Sequence, residues 1–272
     1  MTNKANMLSA VTPWDAVAGG YAQTTMRLFQ GYADKALQLA GVNGECDVLD
    51  VACGPGTLTL AASKKVNNVS AIDFSAEMLS LLNQSIKEGG ISNIETYCGD
   101  AQQLPYANEV FDVAFSMFGL MFFPDRGKGY KEIFRTLKPG GKVVISSWAP
   151  VSQSPAMLAV FGALKAMNPY MPSPKDEIES LENPEFFTSE LAGAGFRDVE
   201  MHRVTQAMSV GSVETFWADM VKGSAPIVML KNSLSDEQWL EKNQLALDYL
   251  HKTLDVDSKE LTSDAWLGVA CK

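Results

Sequence analysis

Between Cys46 and Ser147, short apolar runs alternate with segments whose apolar residues return every three or four positions. This is the pattern of successive β-α units and predicts a parallel sheet covered on both faces. The predicted strands are Asp47 to Ala52, Val69 to Asp73, Ile94 to Cys98, Val110 to Ser116 and Lys142 to Trp148. Met78, Leu79, Leu82 and Ile86 form a helical stripe behind Ser75, a capping residue, and Gly89-Gly90 stops it. Tyr130, Ile133, Phe134 and Leu137 form a second stripe, ended by Lys138-Pro139-Gly140-Gly141.

Past Trp148 the pattern breaks. Ala149 to Pro184 holds six prolines and an acidic stretch from Asp176 to Glu182, without a period, and reads as a mobile cap segment. Asn183-Pro184 then opens a helix carrying Phe186, Phe187 and Leu191, and a strand is predicted from Arg197 to Gln206. Ser212 caps a helix with Phe216, Trp217 and Met220, and Ser235 to Gln238 matches a capping box. Ala265 to Ala270 reads as a last strand added antiparallel at the sheet end.

The expected organisation is a helical segment at 1–43, a core at 44–149, a cap segment at 150–183, a core helix and strand at 184–206, a helical cap insertion at 207–260 and a last strand at 261–272. The fold class is therefore α/β: a doubly wound, Rossmann-like, seven-stranded sheet, mostly parallel with an antiparallel last strand, plus a helical cap.

Composition narrows the function classes. The 272 residues are 46% hydrophobic, enough for a full core, and carry a net charge of -10, which disfavours nucleic acid and anionic membrane surfaces as partners. Cys46, Cys53, Cys98 and Cys271 form no C-x-x-C pair, so neither a zinc site nor a disulfide framework is expected. No apolar run follows Lys4, and Val113 to Phe123 and Ser146 to Leu164 are too short or too broken to span a bilayer. A cytoplasmic location without an integral membrane span is the expectation.

Candidate chemistry gathers at the strand ends. Val48-Leu-Asp-Val-Ala-Cys-Gly-Pro-Gly-Thr57 is a buried strand running into a glycine turn and a helix, where Gly54 and Gly56 allow close backbone approach and Asp50 offers a carboxylate. Alone, two glycines two apart also fit an ordinary tight turn. The next strand ends in Asp73, placed to meet ribose hydroxyls, and the third is followed by Gly99-Asp100-Ala101, placed to meet an adenine amine. Three acids at adjacent strand ends favour an adenosine-containing cofactor over three separate caps.

Leu49-Asp-Val-Ala-Cys-Gly-Pro-Gly-Thr, Ala71-Ile-Asp-Phe-Ser, Gly99-Asp-Ala-Gln-Gln-Leu-Pro-Tyr, Phe111-Asp-Val-Ala-Phe-Ser and Leu137-Lys-Pro-Gly-Gly-Lys resemble the ordered motifs of class I S-adenosylmethionine-dependent methyltransferases. The likeness covers residues 44 to 148 and is similar to the type 11 domain that includes the ubiquinone/menaquinone C-methyltransferases. It implies S-adenosyl-L-methionine as cofactor. Asp50, Ala52, Cys53, Gly54 and Gly56 would hold the methionine part, Asp73 the ribose, and Asp100 with Ala101 the adenine, flanked by Phe74 and Met78. Ala52 stands where the family often has glycine. Ser116 is expected near the sulfonium, followed by Met117, Phe118, Leu120 and Phe122, which serve as core or as pocket wall. Trp14, Asp15 and Tyr21 resemble a helix folded over the cofactor, or pack as a plain amphipathic helix.

The sulfonium is already electrophilic, so alignment and exclusion of water suffice for transfer and a base is optional. His202 and His251 are the only histidines, and neither is assigned a catalytic role. Methionines of the cap, Met157, Met167, Met171, Met208, Met220 and Met229, suit either an adaptable apolar acceptor pocket or the cap's own core. The expected partner is a small, partly apolar acceptor. Two alternatives remain: a cofactor-binding module without transfer activity, and a nicotinamide-dependent oxidoreductase, whose G-x-G-x-x-G fingerprint is broken here by Thr59.

Overall fold

The structure, a computed structural model, describes residues 7–171, 180–254 and 260–272. Seven strands, β1 (Asp47–Val51), β2 (Asn68–Asp73), β3 (Ile94–Cys98), β4 (Phe111–Met117), β5 (Leu137–Trp148), β6 (Arg197–Ser209) and β7 (Glu260–Cys271), form one sheet in the order β3-β2-β1-β4-β5-β7-β6. The pairs from β3 through β5 are parallel. β7 runs antiparallel to both β5 and β6.

β7 therefore enters between β5 and β6 instead of closing the sheet end. Its Ala265, Leu267 and Ala270 are fully buried, whereas β6 carries Arg197, Glu200 and Arg203 and is mostly exposed or half-buried. The charged strand suits the solvent-facing edge, and the apolar one needs neighbours on both sides. β5 also begins at Leu137, ahead of Lys142, because the Lys-Pro-Gly-Gly segment continues the ladder across a register shift opposite Phe111 to Val113.

Alternate residues of each central strand point to opposite faces. Val48, Val69, Val113 and Phe115 pack under α1 (Thr12–Ala40) and α2 (Thr57–Ala62), with α3 (Ala76–Gly89) beside them. Leu49, Val51 and Ile72 pack under α4 (Arg126–Thr136) and α6 (Pro184–Gly193). Each fully buried Val, Leu or Ile contributes about 1.5–3 kcal/mol, so the two faces supply most of the drive for folding.

The cap consists of α5 (Pro155–Met167), α7 (Val213–Gly223), α8 (Ala225–Asn232) and α9 (Asp236–Thr253) around a core of its own that includes Phe216, Trp217, Ile227 and Leu250. The helix α5 falls inside the segment the sequence pattern reads as irregular. Ala156 to Leu164 is apolar on nearly every side, which erases the period; Ala156, Ala159, Val160 and Ala163 nevertheless face inward, and α5 lies against α9. Most of the acidic stretch, 176–179, lies outside the described residues. Capping residues Ser75, Asn183, Ser212 and Ser235 all accept backbone N–H donors at the starts of their helices. Among the described residues no helix is long and apolar enough to cross a membrane.

Candidate functional site

The strand order reverses between β1 and β4, and the crevice beyond the C-terminal strand ends at such a point is where open α/β sheets bind ligands. The chain leaves β1 through Ala52 and Gly54, both with φ near +55°, and enters α2 at Gly56, φ +94°. The turn is pinned by Cys53 N–H donating to the Ile72 carbonyl at 3.1 Å and Gly56 N–H donating to the Cys53 carbonyl at 3.1 Å. A Cβ on Gly56 would lie 2.4 Å from Leu82 Cδ1, so this glycine serves close packing of α2 on α3.

Asp50, near the end of β1, is 1% exposed. Among the described residues its one side-chain hydrogen-bond partner is Thr59, whose hydroxyl donates to Oδ2 at 2.6 Å. Burial pushes its carboxyl up to about 7, the Thr59 bond opposing and nearby Asp73 adding. Asp73, the last residue of β2, accepts Gly54 N–H at 2.8 Å and Ser75 N–H at 2.9 Å, one on each oxygen. Burial raises its carboxyl too; the backbone donors pull it down and Asp15 pushes it further up. Asp100, after β3, is exposed and accepts from Gln102 N–H at 2.8 Å. Burial, with Asp73 adding, drives the Tyr21 phenol upward, so it stays protonated and available as a donor.

A cavity of about 310 Å³ opens at this rim. Of the residues expected at a cofactor, Tyr21, Ala52, Gly54, Asp73, Phe74, Met78, Gly99, Asp100, Ala101 and Met117 line it. An adjoining pocket of about 50 Å³ shares Tyr21, Ala52, Gly54 and Met117 and adds Asp50 and Cys53. Two expected residues line neither. Gly56 is spent on the helix contact, and Ser116 is fully buried with its hydroxyl unpartnered, 3.5 Å from where a Cβ on Gly119 would lie.

The opposite wall is apolar: Leu8, Trp14, Phe118, Phe122, Phe123 and Pro124. Phe118 holds φ +58°, fixed by its N–H bond to Ser146 Oγ at 2.9 Å and by rings of Phe29 and Trp148 at 4.8 and 4.3 Å. Leu8 and Ser9 had no motif to reveal them, and Gln102 stands inside the Gly99 to Tyr106 motif without an assigned role. They reach the cavity because Ser9 Oγ donates to the Phe122 carbonyl at 2.7 Å and Gln102 bridges Asp100 and the Asp125 N–H. None of the six cap methionines lines either pocket; Met167 is buried in the cap core with Met171, Met208 and Met220 against it. His202 lies beside Glu200 and His251 beside Glu214, neither at the cavity.

The residues suit a nucleoside carrying an ammonium and a sulfonium. A Cβ on Gly54 would meet nothing within 4 Å, so open space adjoins the turn. Among the described lining residues there is no Lys, Arg or His to match a pyrophosphate, while buried Asp50 lacks a cation. An uncompensated buried carboxylate beside the turn favours a ligand that brings an ammonium over an anionic pyrophosphate.

This fold and rim define a Rossmann-like methyltransferase. The sequence profile of the ubiE/COQ5 methyltransferase family matches residues 23–211, and the chain belongs to that family of S-adenosylmethionine-dependent methyltransferases. It is 33% identical over 188 residues to a demethylmenaquinone methyltransferase of Bacillus subtilis, covering 64% of this chain and 81% of the relative. It is 40% identical over 116 residues to that of Bacillus velezensis, covering 42% of this chain but only half, 50%, of the relative. Among solved structures, YcgJ of Bacillus subtilis superposes with a TM-score of 0.58 at 18% identity, covering 88% of this chain and 97% of that one. A Haemonchus contortus phosphoethanolamine N-methyltransferase bound to S-adenosylhomocysteine gives 0.55 at 20% identity, covering 89% and 52%. These two likenesses show the shared fold.

Proposed function

We propose that this protein transfers a methyl group from S-adenosylmethionine to a small, largely apolar aromatic acceptor of the quinone-precursor kind. The observation that carries the reading is a cavity lined by Asp73 and Asp100 and by an aromatic wall, with Asp50 in the pocket that adjoins it. The names of the Bacillus relatives, demethylmenaquinone methyltransferases, support the acceptor class. Four free thiols suit a reducing cytoplasm.

When bound, the cofactor supplies an electrophilic methyl group on a positively charged sulfur. Asp50 and the Ala52 to Gly54 turn would hold the methionine end, Asp50 taking the ammonium. Asp73 has each oxygen committed to one backbone donor and keeps lone pairs for two ribose hydroxyls. Asp100 and the Ala101 N–H would take the adenine, with Phe74 and Met78 flanking it. Tyr21 would donate its hydroxyl to the methionyl carboxylate. Trp14, Phe118 and Phe122 exclude water and orient a planar acceptor.

Among the described lining residues there is no imidazole or amine to act as a base, the phenol stays protonated, and the carboxylates are assigned to the cofactor. Catalysis therefore rests on alignment and desolvation. The test is incubation with methyl-tritiated S-adenosylmethionine and a panel of reduced demethylquinones, naphthols and phenols. Label is expected in one organic product, with equimolar S-adenosylhomocysteine. Binding of S-adenosylhomocysteine with no label transferred to any of them would overturn the reading in favour of a module without transfer activity.

A further inference from the structure

The start of α1 is fastened to both rims of the cavity. On one rim, Ser75 Oγ donates to Asp15 Oδ1 at 2.6 Å. On the other, Ser9 Oγ donates to the Phe122 carbonyl, and the Trp14 ring lies 5.1 Å from that of Phe122. Trp14 Nε1–H bonds the Leu8 carbonyl at 2.8 Å, which folds the segment before the helix onto its first turn. Residues 8 to 21 thus form a strap across the cofactor cavity, with Leu8, Ser9, Trp14 and Tyr21 on its lining.

The clasp acts on the carboxylate that faces the ribose. Ser75 is fully buried; its N–H holds Asp73 Oδ1 and its hydroxyl accepts the Met78 N–H that begins α3. One side chain therefore joins the strap, the ribose carboxylate and the adenine-side helix. The strap's own helix start is weakly terminated, since Val11 at the cap position offers no side-chain acceptor to the first-turn N–H groups. Its closure depends on the tertiary bonds.

Asp15 and Asp73 are like charges sharing Ser75, with no cation paired to either among the described residues, and Asp15 works against ionised Asp73. Ligand hydroxyls donating to Asp73 would disperse that charge and relieve the repulsion on Asp15. Closure and ligand binding then favour each other, as linkage requires. We propose that Asp15 is a positioning residue whose bond to Ser75 latches the strap over the bound nucleoside and sets the rate at which cofactor and product exchange. This rests on the cofactor reading above.

The experiment is the chase of tritiated S-adenosylhomocysteine from the full chain, with amide hydrogen exchange over residues 12 to 21 measured with and without that ligand. Asp15→Ala is expected to speed dissociation about tenfold and to abolish the slowing of exchange that the ligand causes in the native protein. Asp15→Asn, whose amide oxygen still accepts the Ser75 hydroxyl, should stay within about threefold of native, as only a latch requires. Ser9→Ala, which opens the other fastening, should also speed dissociation and stands in if Asp15→Ala does not fold. Native dissociation rates in Asp15→Ala and Ser9→Ala, or Asp15→Asn as fast as Asp15→Ala, would overturn the latch. A native protein that binds no S-adenosylhomocysteine would overturn the cofactor reading as well, which distinguishes the two failures.

Discussion

Ala52 fills the space that Gly119 leaves empty: a Cβ on Gly119 would lie 2.4 Å from the Cβ of Ala52. Both residues line the cavity, and Ala52 holds a left-handed φ of +55°, which costs a non-glycine residue about 1–2 kcal/mol. The two positions are therefore coupled. Gly119→Ala alone is expected to destabilise the fold by about 1–3 kcal/mol through overpacking, and Ala52→Gly to restore most of that loss in the double variant. A double-mutant cycle by urea denaturation checks this, and additive effects would contradict it.

Asp50 should make cofactor affinity pH-dependent. Its carboxyl is pushed up to about 7 in the unliganded fold, above the value of about 3.9 in an unfolded chain. A raised acid destabilises the fold as it ionises, so this contribution to stability declines from about pH 4 to about 7 and stays lost above that. A ligand ammonium favours the ionised form. Affinity for S-adenosylhomocysteine should consequently rise with pH, by up to about tenfold per unit below 6, and level off above 7. Calorimetry from pH 5.5 to 8 measures it, and Asp50→Asn should remove the slope. Thr59→Val, which deletes the side-chain donor that lowers Asp50, should move the levelling-off to higher pH.

Phe122 should act on the acceptor more than on the nucleoside. Its ring stands against Trp14 on the apolar wall. Phe122→Ala is predicted to raise the acceptor KM about tenfold and to weaken S-adenosylhomocysteine binding less than that, the smaller effect coming from the lost strap contact with Trp14. The opposite split in steady-state kinetics and titration would place the nucleoside on that wall.

The cap should lose stability without loss of cofactor binding. Ser235 forms a reciprocal capping box with Gln238 at the start of α9, and Ser235→Ala is expected to cost about 1 kcal/mol. Because the cap has its own apolar core, nucleoside affinity should be unchanged. A matching fall in affinity would show that the cap shapes the cavity directly.

How far the chain announces these features depends on where the information lies. Strand ends and caps are local: Asp50, Asp73, Asp100 and Ser75 are readable from their place after an apolar run or before a helical stripe. Such signals survive without knowledge of tertiary contacts. What is not local stays hidden. The insertion of β7 between β5 and β6 is decided by which strand tolerates an exposed edge. The helix α5 escapes because an apolar stretch packed on several sides has no period. Leu8, Ser9 and Gln102 reach the cavity through bonds to residues far away in the chain or across a turn, and Ser116, placed by its motif, sits behind the Ala52 to Gly119 contact and off the lining.

The most direct test of the central claim is calorimetric titration of S-adenosylhomocysteine into the native protein and into Asp73→Ala. The account predicts one site in the native chain and a loss of at least a hundredfold in affinity when the carboxylate at the end of β2 is removed, since the proposed ribose contacts would go with it and the Gly54 turn is bonded to it. No heat with the native protein, or equal affinity in the variant, would contradict it.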